Sequence, residues 1–584
     1  MTAAGRIRAA DTAGSSGQID RDVEASLLGI WGVELEFGPR VRGPVTLTRV
    51  GDRWSLSVAG AQGEAPLKTD SVTLSLPGSL GELRARLRNG GRTIDGFWIQ
   101  PATTVSGVRY ASPVHLERRG RAIWRGDIDP LADRYSLYLR ISAANDRTLS
   151  ATFSNPQANH RGGASHFRVE QRGDTLRFID STGRAPTLTA QLDSAPRRIV
   201  LPWPQLGYTL VLTPMSRNDA VGYVPRVSPV ARYEYRTPLS NGDGWRTARA
   251  SSVGVDEALL AALVERIVNA DPDDPKQPSV HSLLIARRGT LVLEEYFRGF
   301  DADRTHDLRS ASKTFTGVML GAAMLHGASI APETKVYPLF GGVAAFGNAD
   351  PRKDSLTIAH LLTHSSGLAC DDNDDASPGE ENHVQGQTEQ PDWFSYTLAL
   401  PMVHAPGEHY AYCSMGMNLV GGALVRRTHL WLPELFHRWV ARPLGITRYH
   451  WNLTSTGDGY GGGGVHMLPR DVLKIGAAYL NAGSWNGARI ATPAWVRRAT
   501  ARQIDVPALK NSDGFAWHRN TFRVGERSYD EYEANGNGGQ LLILVPSLSL
   551  AIVFTAGDYG NYRAWRTLRE SIVPTNIIPA VRDR

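Results

Sequence analysis

Leu308-Arg309-Ser310-Ala311-Ser312-Lys313-Thr314-Phe315-Thr316-Gly317 (LRSASKTFTG, residues 308–317) opens an apolar segment that runs to about His326 and stops at Gly327. Phe315, Val318, Met319, Leu320, Ala322, Ala323, Met324 and Leu325 point in all directions around a helix. A helix apolar on every side lies at the centre of its domain. The three-residue spacing puts Ser310 and Lys313 on one face, about 5–6 Å apart at their Cβ atoms, so the amine reaches the hydroxyl. Proximity to the helix N-terminus and partial burial are both expected to lower the lysine pKa and turn it into a proton acceptor. A serine is a poor nucleophile without such a base. The alternative is a serine that caps the helix and a lysine that extends to solvent. The motif alone does not decide between them.

Two further stretches bear on the choice. In PGEHYAYCSMGMNLVGGAL (406–424), Tyr412 precedes Cys413 and Ser414, and an apolar helix begins near Met417. In EANGNGGQLLIL (533–544), Asn537, Gly538 and Gly539 lead directly into a strand at Gln540. A strand entered through glycines brings backbone N–H groups close to a ligand, because no side chain blocks the approach. Nucleophile, lysine, tyrosine and backbone donors are together the parts of an acyl-transfer site.

On these three elements, residues 230–577 resemble the serine β-lactamase and penicillin-recognising superfamily, on the side of class C β-lactamases, esterases and nylon-oligomer hydrolases. Ser310-Ala311-Ser312-Lys313 matches the first signature, Tyr412-Cys413-Ser414 stands for Tyr-x-Asn, and Asn537-Gly538-Gly539 stands for Lys/His-x-Gly. LTIAHLLTHSSGL (356–368) and GGGGVHMLPRDVLKIGAAYLNAG (461–483) also look like the family. The resemblance implies that Ser310 is acylated while Lys313 and Tyr412 share its proton, in an order left open. It also implies that the backbone N–H groups of Ser310 and Gln540 hold the oxyanion.

Two departures from the pattern shape the expected activity. Ser414 replaces an asparagine, which is expected to weaken a contact to the substrate amide. Asn537 and Gly538 replace the cationic or imidazole residue and the hydroxyl that bind a β-lactam or peptide carboxylate. The expectation is therefore a cofactor-free and metal-free serine hydrolase of small-molecule or peptide-like esters and amides, with weak or no β-lactam turnover. Two alternatives stay open: a D-amino-acid amidase, peptidase or acyltransferase using the same acyl-enzyme, and a catalytically vestigial binding or sensor protein.

Away from the motifs, residues 25–217 are dominated by short alternating runs such as Trp54-Ser55-Leu56-Ser57-Val58, separated by Gly, Asp, Asn and Pro. Such period-two alternation marks antiparallel strands. Gly29-Ile30-Trp31 is echoed by Ala122-Ile123-Trp124, which suggests tandem β-modules, barrels or sandwiches, over 25–121 and 122–217. One large β-domain is the alternative. A Pro- and Gly-rich linker over 218–250 follows. The 251–577 domain then has hairpins at 281–297 and 540–555 with helices between them. That order indicates an α/β (α+β) domain with one antiparallel sheet built from sequence-distant pieces and flanked by helices. Residues 1–24 and 578–584 read as tails. The fold class is thus multi-domain, all-β modules followed by a β-lactamase-like domain.

Composition narrows the remaining classes. The net charge of +6 comes from 64 basic and 58 acidic side chains spread along the chain, with no stripe suited to nucleic acid. No apolar run approaches the ~20 residues of a membrane span. The first residues lack the apolar centre of a secretory signal, which leaves a cytoplasmic protein or one whose signal has been removed. The spacing of Cys370 and Cys413 fits neither a zinc site nor a disulfide framework, although one bridge between them stays open. Oligomeric state is not legible.

Several single residues carry weaker expectations. His364 in the LLTHSSGL stretch reads as a helix-end histidine bonded to backbone, with Ser365 and Ser366 beside it. The acidic run Asp371–Asp375, with Glu380 and Glu381, lacks EF-hand spacing and reads as a solvated loop, within a segment to Trp393 that walls the cleft. Trp393, Trp517 and His518 are candidates for lining the pocket, with ordinary packed aromatics as the alternative. Gly461–Gly464 indicates close backbone packing or a mobile turn rather than phosphate binding. The chain has no G-x-S-x-G, which argues against an α/β-hydrolase elbow.

Overall fold

The computed structural model describes residues 27–68, 70–143, 148–157, 166–180, 183, 186–228 and 232–582. The tail expected over 1–24 lies outside the described residues. The alternating runs are strands with one face in a core, as in Arg53–Val58 and Ser71–Leu76, where every second residue is buried. They form two eight-stranded antiparallel arrays. One is a closed barrel of Gly29–Gly38 with the seven strands between Asp133 and Met215, packed around Trp31, Tyr135, Phe153 and Trp203. The other holds the eight strands between Gly43 and Ile128 around Trp54, Trp98 and Trp124, and is open between Ala61–Pro66 and Ser71–Leu76.

The pairing departs from a simple tandem arrangement. Gly29–Gly38 joins Asp133–Ala143 and Tyr208–Met215, whereas Ile123–Ile128 joins Gly43–Val50 and Tyr110–Gly120. Each array therefore takes its tryptophan strand from the other half of the N-terminal region, and a boundary at 121/122 would cut a hairpin. Only Arg121 and Ala122 separate Tyr110–Gly120 from Ile123–Ile128, so that pairing closes a very short loop at low entropic cost. Gly29–Gly38 is then left to complete the second barrel.

In the catalytic-type domain, the two expected hairpins form and pair with each other, Val280–Arg287 against Leu550–Ala556. They belong to a nine-stranded sheet that extends through Gln540–Val545 and Arg527–Gly536 to Ile504–Val506. Val280–Arg287 is buried at every position, as a strand covered on both faces must be. Leu283 and Ile285 face the layer holding Leu260, Leu263 and Ile267. Leu284 and Ala286 face the layer holding Phe315, Val318 and Met319. The residues at both ends of this domain are fastened into it rather than free. Arg246–Thr247 adds a parallel edge strand, while Val581 bridges Val255 and lies in the core with Ile578. The linker and C-terminal tail are thus largely part of the domain.

The barrels are joined to this domain by continuous sheet. Trp451 pairs with Ala111 of the strand Tyr110–Gly120, and the neighbouring His466–Met467 pairs with His306–Asp307. Ser112 Oγ lies 2.8 Å from His450 Nδ1, and both side chains are buried. The chain that leads into Ser310 is therefore tied through a few residues to the N-terminal region. Among the described residues, no helix is long and apolar enough to cross a membrane.

Candidate active site

Ser310 sits in a 3₁₀ turn, Arg309–Ala311, that runs directly into the helix Ser312–Leu325. Arg309 has φ +48°, a left-handed conformation uncommon for a non-glycine residue. Neither element has a side-chain cap hydrogen bond, so Ser310 is not a helix cap. Every residue from Ser312 to Ala323 is buried. Lys313 is 4% exposed and donates from Nζ to Ser310 Oγ at 3.0 Å. Its ammonium lies 5.0 Å from the centre of the Tyr412 ring.

The expected lowering of the Lys313 pKa does not occur. Burial pulls it down, but Tyr412, whose phenolate would attract the ammonium, and the carboxylates of Glu381 and Asp372 outweigh that effect and raise it. Burial likewise raises Tyr412, against the opposing pull of Lys313 and Ser310. Near neutral pH the resting pair therefore holds both protons, as ammonium and phenol. Burial and the helix terminus are local to Lys313, whereas the carboxylates that decide its pKa come from a loop distant in sequence.

That loop is the acidic run. Cys370 and Cys413 are joined by a disulfide, with Cα atoms 5.4 Å apart across a sequence separation of 43, which brings Asp372 beside Tyr412 and Ser414. Asp372 N–H donates to Tyr412 O at 2.8 Å. Its Oδ2 accepts from Ser414 N–H at 2.8 Å and Ser414 Oγ at 2.6 Å, and its Oδ1 accepts from Glu381 N–H at 3.1 Å. Asn373, Asp374 and Asp375 are exposed as expected, whereas Asp372 turns inward because Ser414 offers it two donors. Burial and the neighbouring Glu381 push the Asp372 carboxyl up to about 6. Ser414, fully buried, is committed to Asp372.

Behind Tyr412 lies His364, its ring 4.5 Å away and its Nδ1 accepting from Cys413 N–H at 3.2 Å. Burial pushes the imidazole down to about 3, so it stays neutral and acts as a backbone-bonded support. Gly461 packs against Met417 O and accepts at its carbonyl from Thr316 Oγ1 at 2.8 Å. The glycine run there serves close packing against the helix Ser414–Thr428, with the Thr316 hydrogen bond tying it to the helix that carries Lys313.

The third element is placed differently from expectation. A Cβ at Gly536 would lie 2.3 Å from Leu308 O and 3.1 Å from Ala311 N, so only glycine lets this strand approach the turn that carries Ser310. Asn537 follows and lines the cleft, with its Oδ1 accepting from Gly560 N–H at 2.8 Å. Gly538 faces Tyr559, and Gly539 faces Ala556, Leu568 and Trp565. Gln540 is fully buried, its amide bonded to both N–H and C=O of Ala556. The residues at the nucleophile are therefore Gly536 and Asn537, in place of Gly538, Gly539 and Gln540. The signal was the earlier glycine of the same stretch.

Trp517, 1% exposed, is held between Tyr479 and Tyr532 in the core. Trp393 packs behind Tyr460 at 5.5 Å. His518 binds Asp513 at 2.9 Å, with its ring 6.5 Å from Tyr412; burial lowers its pKa, but Asp513 prevails and raises it. None of the three is on the cleft surface. Tyr460, which donates to Glu381 Oε1 at 2.5 Å, takes that place with Tyr559. The cleft has a volume of about 1030 Å³ and holds Ser310, Tyr412, Asp372, Glu381 and Asn537 on one side. Its other side comes from residues 103–108 and 129–134 of the N-terminal β-region. Among the described residues, no three His, Cys, Asp or Glu side chains converge as a metal site.

An antiparallel sheet faced by a buried helix, with Ser310, Lys313 and Tyr412 meeting at a cleft, defines a serine β-lactamase-like protein. A family model described as Beta-lactamase matches residues 264–572, more than half of the chain, and the chain belongs to that family. The matched residues begin after the barrels. The 6-aminohexanoate-dimer hydrolase of Paenarthrobacter ureafaciens is 25% identical over 293 residues, covering 44% of this chain and 72% of that protein. A monacolin J acid methylbutanoyltransferase of Aspergillus terreus is 31% identical over 154 residues, 24% of this chain and 36% of that protein. Among solved structures, a family VIII carboxylesterase aligns with TM-score 0.42 at 16% identity, over 57% of this chain and 98% of that one. A penicillin-binding protein homologue from Caulobacter crescentus aligns with TM-score 0.42 at 17% identity, over 54% and 96%.

Proposed function

We propose that the protein is a serine hydrolase that cleaves ester or amide bonds of small molecules through an acyl-enzyme at Ser310. The observation that carries this reading is the 3.0 Å hydrogen bond from buried Lys313 to Ser310, with the Tyr412 ring against the same ammonium. The names of the relatives, an amide hydrolase and an acyltransferase, support the same chemistry.

Because the resting pair carries two protons, one must leave before Ser310 can be deprotonated. The pair then accepts the Ser310 proton as Oγ attacks the substrate carbonyl carbon. The resulting oxyanion rests against backbone N–H groups of Ser310 and Asn537. Collapse breaks the bond to the leaving group, which takes the proton from the pair, and leaves Ser310 acylated. A water then gives its proton to the pair and attacks the acyl carbon. Collapse returns the proton to Ser310 Oγ and releases the acid.

Two features tune this sequence. Asp372 and Glu381 hold the Lys313 ammonium, and the Asp372 bonds to Ser414 and to the Tyr412 carbonyl fix the tyrosine loop. With Gly536 as the glycine of the third element, the residue two positions before it is Ala534, neutral where the family pattern has a cation, so ester cleavage should far exceed β-lactam turnover. Replacing Ser310 by Ala should reduce p-nitrophenyl ester turnover by at least about 10³-fold, and Tyr412→Phe by about 10²- to 10⁴-fold. Turnover that survives Ser310→Ala would refute the assignment. Partition of product in the presence of an alcohol acceptor separates a hydrolase from an acyltransferase.

A further inference from the structure

The arginines around the cleft fall into two sets. Arg309 pairs with Asp307 at 2.9 Å, Arg448 with Asp129 at 2.7 Å, and Arg42 approaches the same Asp129 at 3.9 Å. Arg304 also lines the cleft, and among the described residues it has no ion-pair partner. Its Nη1 donates to Gly299 O at 3.3 Å, and its guanidinium lies 3.9 Å from the centre of the Phe300 ring. Asp301, on the same loop, attracts it from beyond ion-pair distance. A second arginine, Arg134 of the barrel strand Asp133–Ala143, lines the same cleft, with Glu36 3.7 Å away at the barrel surface. Burial and the nearby Arg134 charge both disfavour the charged form of Arg304.

A half-buried guanidinium that lacks an ion-pair partner and shares a cleft with a second arginine is stabilised by an anion that joins them. Asp133, next to Arg134, accepts from the Thr104 and Val105 N–H groups, and Asp301 and Asp303 are exposed on the Arg304 loop. Asp372 and Glu381 make the corner at Ser310 acidic, which would direct such an anion to the arginine end. We propose that Arg304 and Arg134 form a subsite for a carboxylate carried by the substrate at a distance from its scissile carbonyl. Half of this subsite belongs to the catalytic domain and half to the N-terminal barrel, so the barrel takes part in substrate selection. The inference rests on the serine hydrolase reading and names its substrate class: esters or amides with a second, anionic end.

The test uses two matched pairs of esters. In one, p-nitrophenyl hydrogen glutarate is compared with p-nitrophenyl pentanoate, which places the carboxylate on the acyl side. In the other, 4-carboxyphenyl butyrate is compared with phenyl butyrate, which places it on the leaving group. In at least one pair the charged ester should have the higher kcat/KM. Arg304→Gln should lower the charged-to-neutral ratio by about 10- to 100-fold through KM, and Arg304→Glu should invert the preference. Equal ratios in wild type and Arg304→Gln for both pairs would overturn the subsite. Absence of turnover with every ester would instead count against the hydrolase reading. The subsite is then judged by calorimetric binding of glutarate to the Ser310→Ala protein. A Kd raised about tenfold or more by adding Arg304→Gln sustains it, whereas an unchanged Kd or no binding overturns it.

Discussion

The wall of the cleft that carries Ser310 is buried, acidic and fastened by a disulfide, whereas the facing wall is half-exposed, mixes arginine with aspartate and is supplied largely by a β-region outside the family match. On the first wall, Tyr412, Asp372 and Ser414 are held by backbone hydrogen bonds and by the Cys370–Cys413 bridge. On the second, Arg134 of the barrel and Arg448, which the catalytic domain contributes beside Asp129, have side chains 53% and 37% exposed, and their ion pairs are individually weak. Reacting groups need fixed geometry and shielding from water. Recognition needs only complementary charge at the right distance, which a surface loop provides.

The comparison can be broken from the catalytic side at its covalent clamp. Removing the bridge with Cys370→Ser and Cys413→Ser together should cost about 2–4 kcal/mol of stability, read as a lowered denaturation midpoint. Ester turnover should fall as well, because Asp372 and Tyr412 lose their common anchor. A variant equally stable and equally active would mean that the hydrogen bonds of Asp372 suffice to hold the wall.

Next in size is the backbone approach at Gly536. An alanine there places its Cβ against Leu308 O, 2.3 Å away if nothing moves, so the strand or the Ser310 turn must shift. A displacement of about 1 Å at the reacting groups costs on the order of 10²-fold in kcat. The same substitution at Gly347, which like Gly536 has no left-handed φ but has open space around it and does not line the cleft, is the control for a Gly-to-Ala change without the clash. Equal activity losses in the two variants would remove the argument that Gly536 is the glycine of the site.

The smallest effect is also the one that most sharpens the electrostatic contrast. Both Lys313 and Tyr412 are raised in the folded protein, and the reactive form has lost one proton. Below the apparent pKa of the pair, kcat/KM should therefore rise about tenfold per pH unit, and it should level off above it. Asp372→Asn removes one of the charges that holds the ammonium, so the profile should move to lower pH. A shift to higher pH, or none, would contradict the role given to the acidic wall.

Much of this site was legible in local sequence. The buried helix after Ser310 and the sheet from two distant hairpins follow from periodicity and spacing, and the ordered set of Ser-x-x-Lys, Tyr412 and the glycine turn is legible through its resemblance to a known family. The parts that escaped depend on partners far along the chain. Asp372 sits in a run that looks solvated, and only the bridge to Cys413 and the two donors of Ser414 draw it inward. The glycine that matters, Gly536, meets the backbone of Leu308 and Ala311, whereas Gly538 and Gly539, both at φ +96°, meet side chains, a difference that the residue type alone does not reveal. The exchange of the Trp31 and Trp124 strands was hidden because both fit either barrel, and loop length decides between them. Trp517 and Trp393 show the converse: an aromatic near a motif in sequence became core because larger apolar surface is buried there.

The most direct measurement is the intact mass of the protein after incubation with a fluorophosphonate, for wild type and for Ser310→Ala. The account predicts one adduct on the wild type, located by peptide mapping at Ser310, and none on the variant. An unmodified wild type, or an adduct that persists in Ser310→Ala, would contradict it.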